Sequence, residues 1–383
     1  MIQRKRLLAA GIAASLVFAA CGSSSDDKSG DDTASEAAGA DSSASESEGS
    51  ESEGQEAPSS DVTVGLTFDI GGRGDQSFND SAAAGIERAA AELGITFNEA
   101  EPNADGSNRA ELLQLQADQH DLVLAIGFLF EADVVATAAE NPDVKFAVVD
   151  SAMLDFDNGG VPYADNVQGL TFAENEGSFL VGVAAALNSK TNTVGFIGGV
   201  GGFGLIERFE AGFTAGVKAV NPDITVIPQY ITQAPDFEGF FAADRAKEIA
   251  LGMYDQGADV IYHAAGGSGA GLFEAAKERS EASGTKVWAI GVDSDQYLTS
   301  SEDVRDYILT SMLKRVDVAV FEATKAQTEG NFTPGNIVYD LAAEGVGYAT
   351  TGDFLTQDVI DTMEDYKAKI IAGEIEVPMA PEG

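Results

Sequence analysis

Apolar and polar positions along the chain alternate between two periods. Uninterrupted runs rich in β-branched and aliphatic residues at 62–68, 95–99, 122–126, 145–150, 193–197, 225–230, 259–263, 286–292 and 307–311 predict strands, most of them buried on both faces. Between most of them lie amphipathic stretches at 81–93, 109–117, 131–140, 175–187, 206–220, 244–255, 271–282 and 314–329, which predict helices. Such alternation predicts an α/β fold of parallel sheets flanked by helices. The rhythm breaks at 153–166, where Asp155, Asp157, Gly159, Gly160 and Pro162 fall close together, and again near 330–335. Those breaks predict crossings between two lobes, the first holding residues 61–165 plus about 294–330 and the second 166–293 plus about 331–383.

The first strand and helix frame a glycine loop. After the strand at 62–68 come Gly71, Gly72 and Gly74, which let the backbone turn with positive φ and approach a ligand. Helical patterning then starts at Asn79, with Asn79 or Ser77 as the expected cap. Open α/β sheets bind ligands outside the carboxyl ends of their strands, so side chains at those ends are the candidates. They are Phe68 after the first strand, Asn79, Asp150 after the fourth, Asp293 in Gly291-Val292-Asp293, and Lys314. Phe241, with its neighbours Phe237 and Phe240, stands in an irregular loop ahead of a helix. Lys314 is expected at a helix N-terminus, where the dipole disfavours a cation, so pairing with Asp293 would give it a use. Two hinged lobes suit a protein that closes on a small molecule.

Charge and the N-terminus narrow the partners. The net charge of −41 repels phosphate backbones, which excludes nucleic acid. Arg4, Lys5 and Arg6 precede an apolar run at 7–20, too short for a comfortable span and typical of a signal peptide. It ends in Val17-Phe18-Ala19-Ala20-Cys21, so the only cysteine stands where a lipidated N-terminus would be made, although Phe18 replaces the usual leucine. Residues 23–60 are Ser, Gly, Ala, Asp and Glu without an aromatic, a composition expected to stay an extended, self-repelling tether. A lipid-anchored protein on the extracytoplasmic face of the cell membrane is the expected address.

Catalytic motifs are scarce. Gly199-Val-Gly201-Gly202-Phe203-Gly204 fits G-x-G-x-x-G, but the next strand ends in Gln229-Tyr230 without the acid that a dinucleotide ribose requires. Gly267-Ser-Gly269-Ala-Gly271 has the acid, Asp293, but the wrong glycine spacing. His120 and His263 are the only histidines, and neither a His/Cys metal spacing, a G-x-S-x-G elbow nor a phosphate-binding P-loop is present. No enzymatic activity, cofactor or metal is expected.

Six stretches in order, Gly71 to Asn79, Glu174 to Leu187, Phe209 to Asp223, Asp259 to Glu278, Ala289 to Gln296 and Thr310 to Asp317, carry a resemblance. The chain resembles the basic membrane protein lipoprotein family, the PnrA-like substrate-binding proteins of ABC importers. That resemblance implies a two-lobed type I periplasmic-binding-protein fold, a purine nucleoside as ligand, an ABC permease and ATPase as partners, and a monomer. It further implies that Phe68 and an aromatic at Phe241 stack on the base, that Asn79 and Asp150 bond its edge, and that Asp293, Gly267 and Lys314 hold the ribose. The loop at 233–243 is longer than is usual in the family, which leaves open which of Phe237, Phe240 and Phe241 stacks. It also leaves room for a flavin or a sugar, and a sensor remains an alternative to a transporter component. An enzyme that uses NAD or cleaves nucleosides is the alternative from a different class.

Overall fold

The computed structural model describes residues 59–381, so Cys21, the signal segment and almost all of the tether lie outside the described residues. Strands β1 (Thr63–Thr67), β2 (Thr96–Ala100), β3 (Leu122–Ile126) and β4 (Lys145–Val149) alternate with helices α1 (Phe78–Leu93), α2 (Arg109–Ala117) and α3 (Glu131–Glu140). A two-strand excursion, β5 (Leu154–Asp155) with β6 (Val161–Pro162), precedes β7 (Val167–Phe172) and α4 (Glu174–Asn188). The second set follows as β8 (Thr193–Gly201), α5 (Leu205–Val220), β9 (Thr225–Gln233), α6 (Ala243–Asp255), β10 (Val260–Ala264), α7 (Gly269–Ser283), β11 (Trp288–Asp293), the one-turn α8 (Gln296–Thr299) and β12 (Ile308–Lys314). Helix α9 (Val316–Thr328), β13 (Gly335–Tyr339), β14 (Val346–Tyr348) and α10 (Gln357–Ile371) end the fold.

These strands make two six-stranded sheets, ordered β13-β7-β4-β3-β1-β2 and β14-β12-β11-β10-β8-β9, with β14 alone antiparallel to its neighbour. The expected α/β architecture is therefore present, but the lobe boundaries read from the sequence need correction. Strand β7 pairs with β4 and β13 pairs with β7, so both belong to the first sheet, whereas β12 pairs with β11 in the second. The chain crosses between sheets after β7, after β12 and after β13. Each crossing falls at the carboxyl end of a strand, where the cleft lies, and not in the glycine-rich breaks. The break at 153–166 is the β5–β6 excursion, which stays beside the first sheet, with Pro162 against Gly335.

Helices α4 and α5 pack backbone to backbone in the second lobe. A Cβ on Gly212 would stand 2.0 Å from the carbonyl oxygen of Asn175, and one on Gly216 2.0 Å from that of Phe179. Those glycines let two helices approach closely, and the contact fixes the N-terminal end of α4, which borders the cleft.

Candidate functional site

The glycine loop is tied to α1 by two aspartates in opposite directions. The Asp75 carboxylate accepts from the backbone N–H groups of Ser77 at 2.9 Å, Asn79 at 2.8 Å and Asp80 at 3.1 Å. Asp80 reaches back to accept from Gly74 N–H at 2.8 Å and Gln76 N–H at 2.9 Å. Ser77 holds the cap position, but its hydroxyl donates across the cleft to Asp293, so Asp75 satisfies the orphan donors in its place. Asn79 is thereby placed one residue inside the helix, where its Oδ1 accepts from Asp69 N–H at 3.1 Å.

Between the lobes is a cavity with about 610 Å³ of atom-free space, counting the part that opens to solvent. Of the residues expected at the site, Asn79, Asp150, Phe241, Asp293 and Lys314 line it together. Phe68 does not. Its N–H bonds Ala100 C=O one step past β1, so its ring continues the inward alternation of Val64 and Leu66 and is buried in the core. Gly267 is also absent from the lining, where Gly266 takes its place. A Cβ on Gly267 would sit 3.6 Å from that of Asp75, so this residue meets the opposite lobe at the lip of the cleft.

Asp150 and Asp293 stand just beyond or at the ends of β4 and β11, and both hold left-handed backbone, at φ 68° and 63°. Such backbone costs a non-glycine residue about 1–3 kcal/mol and collects at functional sites. Lys314 is the last residue of β12, not the first of a helix, so the expected clash with a helix dipole does not arise. Its Nζ lies 2.7 Å from Asp150 and 3.6 Å from Glu174. Burial lowers the Lys314 pKa, but the fields of Asp150, Glu174 and Asp293 outweigh it and leave it raised. Burial pushes the carboxyls up, Asp69 and Glu174 to about 7 and Asp293 to about 6, against the opposing pull of nearby cations. The site is thus rich in acceptors around one ammonium.

Phe78 and Phe128 from the first lobe, and Phe209, Phe240 and Phe241 from the second, supply the apolar lining. Sequence reasoning missed Phe128, although it follows β3 as Asp150 follows β4. It also missed Asp69 and Asp75, which point to the cleft from the first loop, and Phe209, one turn into α5. Phe237 is not part of the lining. It joins Phe128 and Phe203 in a three-ring cluster across the mouth, with Phe128 stacked on Phe203 at 4.8 Å between centroids and Phe237 edge-on to both at 5.9 and 6.0 Å. The G-x-G-x-x-G loop therefore delivers Phe203 to a clasp between lobes. Because such pairs contribute about 0.5–1.5 kcal/mol each, Phe203→Ala is expected to release bound ligand several-fold faster in stopped-flow displacement. An unchanged release rate would mean that the rings do not hold the cleft shut.

A family described as ABC transporter substrate-binding protein PnrA-like matches residues 62–380. The chain belongs to that family. A CD4+ T-cell-stimulating antigen of Listeria innocua is 38% identical over 97% of this chain and 96% of its own length. The ABC transporter nucleoside-binding protein BmpA of Lactococcus lactis is 36% identical over 83% of this chain and 90% of its own. A crystal structure of a solute-binding protein of an ABC transporter system from Aeropyrum pernix K1 covers 84% of this chain and 94% of its own, at 28% identity and a TM-score of 0.70. PnrA-like proteins are substrate-binding proteins, not enzymes, and the two-lobed α/β architecture with a ligand cavity between sheets is that of a PnrA-like protein. Among the described residues no helix is long and apolar enough to cross a membrane.

Proposed function

We propose that this PnrA-like protein binds purine nucleosides between its lobes and delivers them to an ABC permease. The observation that carries the reading is the pair of left-handed aspartates, Asp150 and Asp293, flanking Lys314 in a cavity whose phenylalanines come from both lobes. A nucleoside is flat and apolar on its base faces and rich in N–H and O–H donors at its edges. Aromatic faces suit the first feature, with about 1–3 kcal/mol for each stacked base, and carboxylate acceptors suit the second. The name of the Lactococcus relative, a nucleoside-binding protein, supports the same reading. Asn79 and Asp150 on the first lobe face the base edge, and Asp293 with Lys314 on the second takes the ribose. Phe240 and Phe241 provide the stacking surface that Phe68 was expected to share.

A thermal-shift screen of residues 61–383 against purine and pyrimidine nucleosides, free bases, riboflavin and hexoses tests this. The expected result is a melting shift with purine nucleosides, and recovery of the bound nucleoside intact. A shift with hexoses alone, or cleavage of the glycosidic bond, would overturn it. We also infer a lipid anchor at Cys21. Cys21→Ser is expected to free the protein from the membrane fraction, and continued sedimentation with membranes would argue against lipidation.

A further inference from the structure

One buried carboxylate beside the site is unaccounted for by the nucleoside reading. Glu174, the first residue of α4, is 1% exposed and does not line the cavity, yet its Oε1 stands 3.6 Å from Lys314 Nζ. Its Oε2 is buried without a hydrogen-bond partner. The nearest cation to that oxygen is Arg208 on α5, at 3.6 Å, on a side chain one-third exposed to screening water. The other groups that face Glu174 are Asp150 beyond Lys314 and the phenol of Tyr262 on β10, while Glu176 of the same helix is taken up with Leu341 N–H.

The charges around Lys314 do not balance. Asp150, Glu174 and Asp293 share one ammonium, and Asp150 holds it most closely, at 2.7 Å. Asp293 accepts from the Ser77 hydroxyl and faces the cavity, where ligand donors can satisfy it. Glu174 has neither compensation, and an unpaired carboxylate removed from water takes a proton instead. When the lobes part, water reaches the cluster and that proton can leave.

We propose that Glu174 is the positioning residue for Lys314 and takes up a proton when the cleft closes on ligand. Glu174 holds the ammonium from behind while Asp150 and Asp293 hold it from the cavity side, so the protonation of Glu174 sets the field that the ligand meets. This rests on the nucleoside reading for its ligand. The sign follows from the closed form binding the proton more tightly than the open one: affinity is highest in mild acid and falls as pH rises through neutrality. The raised pKa of Glu174 in this closed arrangement, about 7, agrees with that direction.

Calorimetric titration with guanosine, which is uncharged between about pH 6 and pH 8, reads the effect directly. At about pH 7, heats in phosphate and in Tris should differ by the proton taken up, and affinity should fall about tenfold from pH 6 to pH 8 for one such group. E174Q should bind guanosine with a smaller proton uptake and a flatter pH profile, whereas Glu174→Asp should restore part of both. Arg208→Gln, which lies outside the cavity, should move the midpoint of the profile to higher pH. Equal uptake in E174Q and the unmodified chain would overturn the proposal, as would an Arg208→Gln midpoint that stays in place should E174Q not fold. Heat without any proton uptake would overturn it and leave the nucleoside reading standing. No heat with guanosine, inosine or adenosine would overturn both.

Discussion

Lys314→Met is expected to cost about 3–5 kcal/mol of folding stability at neutral pH and to abolish detectable ligand binding, because it removes the cation from a buried cluster of carboxylates. The replacement is close in volume and apolar, so little packing is lost. What remains is Asp150, Glu174 and Asp293 with no counter-charge beside them, all within or behind a closed cleft. They escape the penalty by taking protons, which makes the loss depend on pH. A carboxyl whose pKa in the fold is raised above its unfolded value contributes most below the unfolded value, and the contribution drains away as pH rises through the folded one. The variant should therefore approach the unmodified chain near pH 5 and fall well below it near pH 8, with a melting difference on the order of 10 °C at the upper end. Urea unfolding followed by circular dichroism at both pH values checks this. A variant within about 1 kcal/mol at pH 8 would mean that water screens the cluster as it does a surface pair.

Lys314 also shows how a right residue can be picked for a wrong reason. The sequence places it between a strand and a helix without saying on which side of the boundary it falls, and boundaries are the least legible feature of an element. Placed on a helix, it reads as a dipole clash; placed at the end of β12, it is a strand-end residue like Asp293 on the neighbouring strand. Most of the strand and helix pattern was legible because strands buried on both faces carry dense apolar runs. Strand β7 was not, since Val167-Gln168-Gly169-Leu170-Thr171-Phe172 mixes polar residues and a glycine into a short run and follows a loop full of turn residues. Missing it displaced the first lobe crossing. Strand β13 and helix α10 escaped for a related reason, being half exposed and weakly apolar.

At the site, strand-end position was a good guide and side-chain direction was not. Asp150 and Asp293 were found because an acid at a strand terminus is uncommon in an apolar run. Phe68 was placed in the cleft by its position, but a residue one step past a strand can still follow the two-residue alternation, and this one faces inward. Glu174 carried no signal at all. An acid in the first turn of a helix is what the dipole favours, so its burial beside Lys314 is a tertiary fact that no local pattern reports. The aromatic loop at 233–243 gave three phenylalanines of equal standing, and only the fold separates Phe240 and Phe241 in the cavity from Phe237 in the clasp.

Asp293→Ala is expected to weaken nucleoside binding by about 10- to 150-fold, the equivalent of one charge-assisted hydrogen bond of about 1.5–3 kcal/mol. Asp293 is preorganised to accept: its left-handed backbone fixes the carboxylate, Ser77 from the other lobe donates to it, and Lys314 stabilises its charge. Since burial raises its pKa to about 6, the carboxyl is largely ionised above neutrality and is best able to accept from a ribose diol there. Two comparisons make the test specific to the sugar. Free purine bases should bind the variant and the unmodified chain alike, because they have no hydroxyls to lose, and 2′-deoxynucleosides should lose less than ribonucleosides. The Ser77 contact complicates the reading, since Asp293→Ala also removes a bond between the lobes and could loosen closure for every ligand. Ser77→Ala separates the two effects: it deletes the same inter-lobe bond while leaving the carboxylate for the ligand. If Ser77→Ala weakens nucleosides and bases equally while Asp293→Ala weakens nucleosides far more than bases, Asp293 is a ribose acceptor. If both variants weaken both ligand classes by the same factor, Asp293 serves closure alone and the sugar is held elsewhere.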